Sequence, residues 1–141
     1  MATTIVLKNP TVKIDDSVGT PVDLTAQVEG LTITAGTNSD TTNASGDDFE
    51  INTATLKTWS ASVTVFQQFG AGNVDDVIFN GLGNVVTFFG TPNGATVSAT
   101  NPSYSGEAIV TSFNPVDGSH GDVLRATIEL AAAGALVRAT A

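Results

Sequence analysis

The chain contains no cysteine, one histidine, one tryptophan, one tyrosine and five basic residues among 141. Without cysteine there is no disulfide framework and no thiolate ligand for a metal. Five Lys and Arg stand against fourteen Asp and Glu, giving a formal net charge of -9. So cation-poor a chain is not built to grip a phosphate backbone, which requires Lys and Arg. Charged residues make up only 13%, about half the usual share. The surface must therefore be covered largely by Thr, Ser, Asn, Gly and Ala. That suits a surface mostly buried in an assembly, and equally a secreted β-domain. The longest apolar run, near residues 131–137, is far too short to span a bilayer. The start, MATTIVLKNP, lacks a basic segment followed by a long apolar run, so no signal peptide is expected. The expectation is a soluble product that stays where it is made or is built into something.

Scarcity also limits the chemistry. The single histidine, His120, lies between Ser119 and Asp122 in a glycine-flanked turn. A Ser-His-Asp group needs its members brought together in space with the Asp orienting the ring, which near-neighbours in a turn rarely achieve. Gly81-Leu82-Gly83 follows a helical segment instead of opening one and has no lysine nearby, unlike a phosphate loop. Asn43-Ala44-Ser45 matches a glycosylation sequon, a short pattern that arises often by chance. Asp40, Asn43, Asp47, Asp48 and Glu50 are oxygen donors, but their spacing does not fit a helical calcium loop. Neither a catalytic residue, nor a cofactor, nor a metal site is assigned.

What is present is strand pattern. A hydrophobic share of 41% over 141 residues suits one globular domain, 1–141, with a sizeable core. Residues 101–130 read as two strands joined by a loop carrying Asn114-Pro115 and Asp117-Gly118, both turn formers. On the first strand Glu107, Ile109, Thr111 and Phe113 share one face, and Ala108, Val110 and Ser112 the other. On the second, Leu124, Ala126, Ile128 and Leu130 alternate with Arg125, Thr127 and Glu129, the period of a half-buried antiparallel strand. Further strands are expected at residues 5–7, 11–14, 31–35, 85–89 and 95–99, with 85–89 covered on both faces. Pro21–Gln27 fits one turn of helix. The longest strand signal is 49–66, where Trp59, Ala61, Val63 and Val65 alternate with Thr58, Ser60, Ser62 and Thr64. Trp59 is expected in the core; the hydroxyl row faces solvent or lines a passage. One helix is expected near 74–82, with Asn73 as N-cap and Asp75 and Asp76 in its first turn. The polar stretch 36–48 (GTNSDTTNASGDD) has no means to form a core of its own and is expected to be a loop, mobile in the monomer.

The order of these features resembles the major tail tube protein of long-tailed bacteriophages. The resemblance is carried by Thr20-Pro21-Val22-Asp23-Leu24-Thr25, the polar stretch, the Trp59 strand and the short helix. It continues through Asn101-Pro102-Ser103-Tyr104-Ser105-Gly106, Asn114-Pro115 and Gly121-Asp122. It spans nearly the whole chain; residues 131–141 leave no room for the immunoglobulin-like domain some relatives carry. It implies a mainly β fold, two packed antiparallel sheets in a sandwich or barrel-like unit with a flanking helix. It also implies a structural, non-enzymatic subunit of the virion tail. Six copies would join strands into a ring, and rings would stack into a tube around a tape measure protein, with tail terminator and tip proteins at the ends. DNA would pass without specific binding, and no membrane is involved. Related subunits occur in contractile tails, gene transfer agents and secretion machines. The inter-ring loop would contain Thr37, Asn38, Ser39, Asp40, Thr41, Thr42, Asn43, Ser45, Asp47 and Asp48. Thr58, Ser60, Ser62, Thr64 or Glu129 would face the lumen. The competing expectation is a β-sandwich binding module on a virion or cell surface that holds carbohydrate or protein.

Overall fold

The structure, a computed structural model, describes residues 4–141. Its strands are β1 (Thr11–Asp15), β2 (Pro21–Asp23), β3 (Val28–Thr41), β4 (Asn52–Phe66), β5 (Val85–Thr91), β6 (Ser103–Asp117), β7 (Arg125–Ala132) and β8 (Val137–Ala139). Its α-helix, α1, is Val74–Asn80, and Thr25–Gln27 forms a 3-10 turn. All pairings are antiparallel, in one sheet of order β2-β1-β5-β6-β7-β4-β3, with β8 beside β6. The two layers expected from the sequence are thus halves of a single curled sheet. Its two halves face one another: a Cβ on Gly90 of β5 would sit 3.3 Å from Leu31 Cδ2 and 3.4 Å from Ile33 Cδ1 of β3.

The core fills this curl. Val12 and Ile14 come from β1, Trp59, Ala61, Val63 and Val65 from β4, Val86 and Phe88 from β5, and Ala126, Ile128 and Leu130 from β7. Strict alternation on β4 and β7 puts each apolar set on one side of the pleat. Trp59 is 5% exposed. Its ring lies 6.2 Å from that of Phe88, and its Nε1 donates to the Gly134 carbonyl at 2.8 Å. Helix α1 buries Val74, Val77 and Ile78 on one stripe, as their i, i+3, i+4 spacing requires.

Several local expectations are corrected. Residues 5–7 form no strand, and Ile5, Val6 and Leu7 are exposed. Residues 95–99 form no strand either. That turn is held by Asn101, 4% exposed, whose Nδ2 donates to the Ala95 carbonyl at 2.9 Å. On β5 only Val86 and Phe88 reach the core face, while Val85 is exposed and Lys13 covers Phe89. Asn73 precedes the helix but makes no side-chain cap; its amide donates to the Phe69 carbonyl at 2.7 Å. On β6, Phe113 does not share a face with Glu107. Val110 pairs with Leu130 and Ser112 with Glu129, so Thr111 is an extra residue. Such a bulge flips the alternation and turns Phe113 toward the core beside Ile128.

Candidate assembly surface

Strands β6, β7, β4 and β3 form a panel in which register decides what each face carries. On the side away from the core, Thr32, Ser62, Glu129 and Ser112 form one row across all four strands. Thr34, Ser60 and Ala131 form the row above, and Gly30, Thr64, Thr127 and Asn114 the row below. Thr58 continues the same face beyond Ser60. All five residues singled out from the sequence, Thr58, Ser60, Ser62, Thr64 and Glu129, therefore share one surface. The structure adds Thr32, Thr34 and Thr127, which only strand register reveals. Ser62 Oγ donates to Glu129 Oε1 at 3.0 Å, and Thr111 Oγ1 donates to the Glu129 carbonyl at 3.2 Å. At the lower end Arg125 Nε meets Glu29 Oε2 at 2.6 Å, and its guanidinium lies 5.4 Å from the Phe66 ring centre. The face is mostly small hydroxyls, with one central carboxylate, Ala131 and Ile109 in the upper row, and the ion pair stacked on Phe66 at the lower end.

Both edges of this panel are open among the described residues. β3 pairs only with β4. On β6, β5 covers Tyr104–Ile109 and leaves Val110–Asp117 paired with β7 alone. Unpaired edges of this length are templates for another strand. The opposite end of the sheet finishes in β2, a strand of three residues, too short to serve in the same way.

The stretch 36–48 is not the structureless loop its composition suggests. Thr37, Asn38, Ser39, Asp40 and Thr41 belong to β3, and only Thr42, Asn43, Ser45, Asp47 and Asp48 lie in the connection. Gly36 pairs with Thr58, Thr37 with Lys57 and Thr41 with Asn52, while β7 accompanies β4 only over Ser60–Phe66. The hairpin thus projects beyond the sheet as a two-stranded arm. No period-two signal marks it because neither face is buried. Its tip is fastened by its own polar groups. Ile51 N–H donates to Asn43 Oδ1 at 2.6 Å, Ala44 N–H to Asp47 Oδ2 at 2.6 Å, and Thr41 N–H to Asp40 Oδ1 at 2.9 Å. The arm also carries three exposed apolar side chains, Phe49 (85%), Ile51 and Leu56 (77%). A reading focused on the polar stretch passes over them. Leu56 sits at a bulge, since Thr37 pairs with Lys57 but Ser39 with Ala54.

Ser119, His120 and Asp122 lie in an exposed turn, where Asp122 Oδ2 accepts the Ser119 N–H at 3.4 Å. Among the described residues, no group of three or more His, Asp or Glu is gathered closely enough to hold a metal ion. Near β1, the Thr25 hydroxyl donates to Asp23, opposed by slight burial and aided by the Thr25 N–H and Lys13. Together these hold the Asp23 carboxyl below its ordinary value.

No protein-family model matches the sequence, and no curated protein resembles it closely enough to register. Solved structures do. A subunit of the SPP1 tail tube superposes with a TM-score of 0.74 at 13% identity, over 98% of this chain and 80% of that one. The tail of an empty gene transfer agent particle, refined with sixfold symmetry, gives 0.69 at 18% identity over 98% and 100%. A chain of the anti-feeding prophage baseplate gives 0.57 at 14% identity over 99% and 98%. The curled sheet, its helix and the chain path are thus shared with chains of tail-tube, tail and baseplate structures: this chain has the tail-tube fold.

Proposed function

We propose that this protein is the structural subunit of a tail tube in a virion or gene-transfer particle, with no enzymatic role. The observation that carries this reading is the panel: four strands, two open edges and a free face lined with hydroxyls. If the β3 edge of one copy adds to the free half of β6 on the next, the contact is head-to-tail, and such contacts form a ring when the rotation between copies closes. Closure satisfies both open edges of the panel. Sixfold closure is the number suggested by the gene transfer agent tail. The hydroxyl face then becomes the wall of a channel. The Thr and Ser rows offer neither cations nor aromatics on which DNA would catch, and the one cation on this face, Arg125, is paired with Glu29 and stacked on Phe66 at its lower end. Glu129 adds a carboxylate in the central row, and each copy brings a net charge of -9. At a Debye length of about 8 Å, wall charges still repel a nearby phosphate backbone. The arm reaches from ring to ring, and the channel holds a tape measure protein before DNA passes, with terminator and tip proteins closing the ends.

The test is negative-stain microscopy and light scattering of the purified protein at rising concentration. Rings or hollow tubes are expected. Monomers at every concentration, salt level and temperature would overturn the reading.

A further inference from the structure

Resting on the tube reading, we infer that the tip of the arm docks on a second copy of this chain, at the apolar, lysine-bearing segment that precedes β1. Two unpartnered features of the molecule match in chemistry. The arm carries Asp40, Asp47, Asp48 and Glu50 toward its tip, and its one basic residue, Lys57, lies at its base. Phe49, Ile51 and Leu56 stand out from it into solvent. Between residues 4 and 10 the pattern is reversed: Lys8 with no acid, and Ile5, Val6 and Leu7 exposed at 58%, 77% and 49%. Exposed aliphatic side chains also sit beside a cation at Leu56-Lys57, within the arm itself, and at Val137-Arg138 in β8, but each offers one such side chain against three here.

The segment also borders hollows able to receive an aromatic ring. Val6, Lys8 and Asn9 line one of about 600 Å³ together with Asn93, Gly94 and Ala95. Leu7 lines a smaller adjoining one, about 120 Å³, with Leu31, Ile33 and Tyr104. The arm of the same copy does not reach back to them. Thr41 is eight residues beyond Ile33 on β3, about 26 Å at the usual rise per residue, and the tip lies further out. The occupant must come from another molecule. Phe49 supplies the buried anchor and the carboxylates around it meet Lys8 at the rim, the usual division between apolar centre and polar border.

The opposite end of the panel also exposes apolar groups, among them Phe79 and Val123. Its neighbours are Asp75, Asp76, Asp117 and Asp122, which repel an acidic tip, and the one cation there, Arg125, is already paired with Glu29. Charge selects the segment before β1.

The chain has no native cysteine, so engineered thiols report without background. Leu7→Cys and Phe49→Cys chains, one carrying a size tag, are mixed as minor components with wild-type chain, assembled and oxidised. Both sites are exposed, and circular dichroism checks each variant's fold. A mixed disulfide dimer is expected in at least tenfold excess over that from Phe79→Cys with Phe49→Cys. A charge exchange gives a second readout. Lys8→Glu or Asp48→Lys alone should raise the concentration needed for assembly severalfold, and the two combined should recover most of it. Tubes of normal length whose Phe49→Cys arm links to Phe79→Cys, to another Phe49→Cys or to nothing overturn the docking site. A double charge variant no better than the worse single does the same. Wild-type protein that never assembles overturns the tube reading itself, and this inference with it.

Discussion

The two halves of the β3–β4 hairpin make the most instructive comparison in the molecule. Both belong to the same pair of strands in one continuous ladder. The lower half, Val28–Ala35 against Trp59–Val65, has the core beneath it and β7 beside it, and Val63 and Val65 are fully buried. The upper half, Gly36–Thr41 against Asn52–Thr58, is exposed on both faces. An isolated two-stranded hairpin is marginal in water, so nothing in the monomer requires the upper half to be so long. The lower half is shaped by the subunit's own stability, whereas the upper half is the part that the proposed assembly assigns to a neighbour.

Substitutions can break or sharpen this contrast. The largest effect is expected in the lower half: Trp59→Ala should cost about 3–5 kcal/mol in chemical denaturation, because it removes both the Phe88 contact and the bond to Gly134. A red-shifted, quencher-accessible tryptophan in the native protein would contradict the assignment. Next comes Gly106→Ala. Its Cβ would lie 2.7 Å from the Ala135 carbonyl oxygen and 2.9 Å from the Trp59 ring, an overpacking expected to cost about 1–3 kcal/mol. In the upper half, Leu56→Ser and Phe49→Ser should change monomer stability by less than about 0.5 kcal/mol while reducing assembly. A large loss of stability would mean that the arm belongs to the subunit core after all.

The smallest effect concerns Asp23, outside the hairpin. Its lowered pKa means that it stabilises the fold above its ordinary value of 3.8, and that this contribution is lost as pH falls through the lower folded value. Asp23→Asn should therefore be slightly less stable than wild type at neutral pH, and the gap should close at strongly acid pH. A gap that persists unchanged into acid would show that the carboxylate charge is not what matters there.

The same contrast explains what the sequence made legible. Trp59, Ala61, Val63 and Val65 stand out because one face is buried, and burial writes itself as period two. Their hydroxyl partners follow from the same alternation, which is why Thr58, Ser60, Ser62 and Thr64 could be grouped in advance. Thr32 and Thr127 could not, because joining them to that group requires the pairing register. Phe113 was misplaced because one bulge at Thr111 inverts everything after it, and no composition rule marks a bulge. Residues 36–41 were hidden for another reason. A ribbon exposed on both sides has no hydrophobic period, so a strand made of Thr, Ser, Asn and Asp looks like a loop.

The central claim is that the hydroxyl face of the panel becomes a channel wall when copies join edge to edge. The most direct measurement is a side-chain-resolution density map of the assembled protein. We expect the β3 edge of one copy beside residues 110–117 of the next, with Ser60, Ser62, Thr64 and Glu129 facing an open lumen. A map that places those four residues on the outer wall, or buries them in a contact between copies, would contradict it.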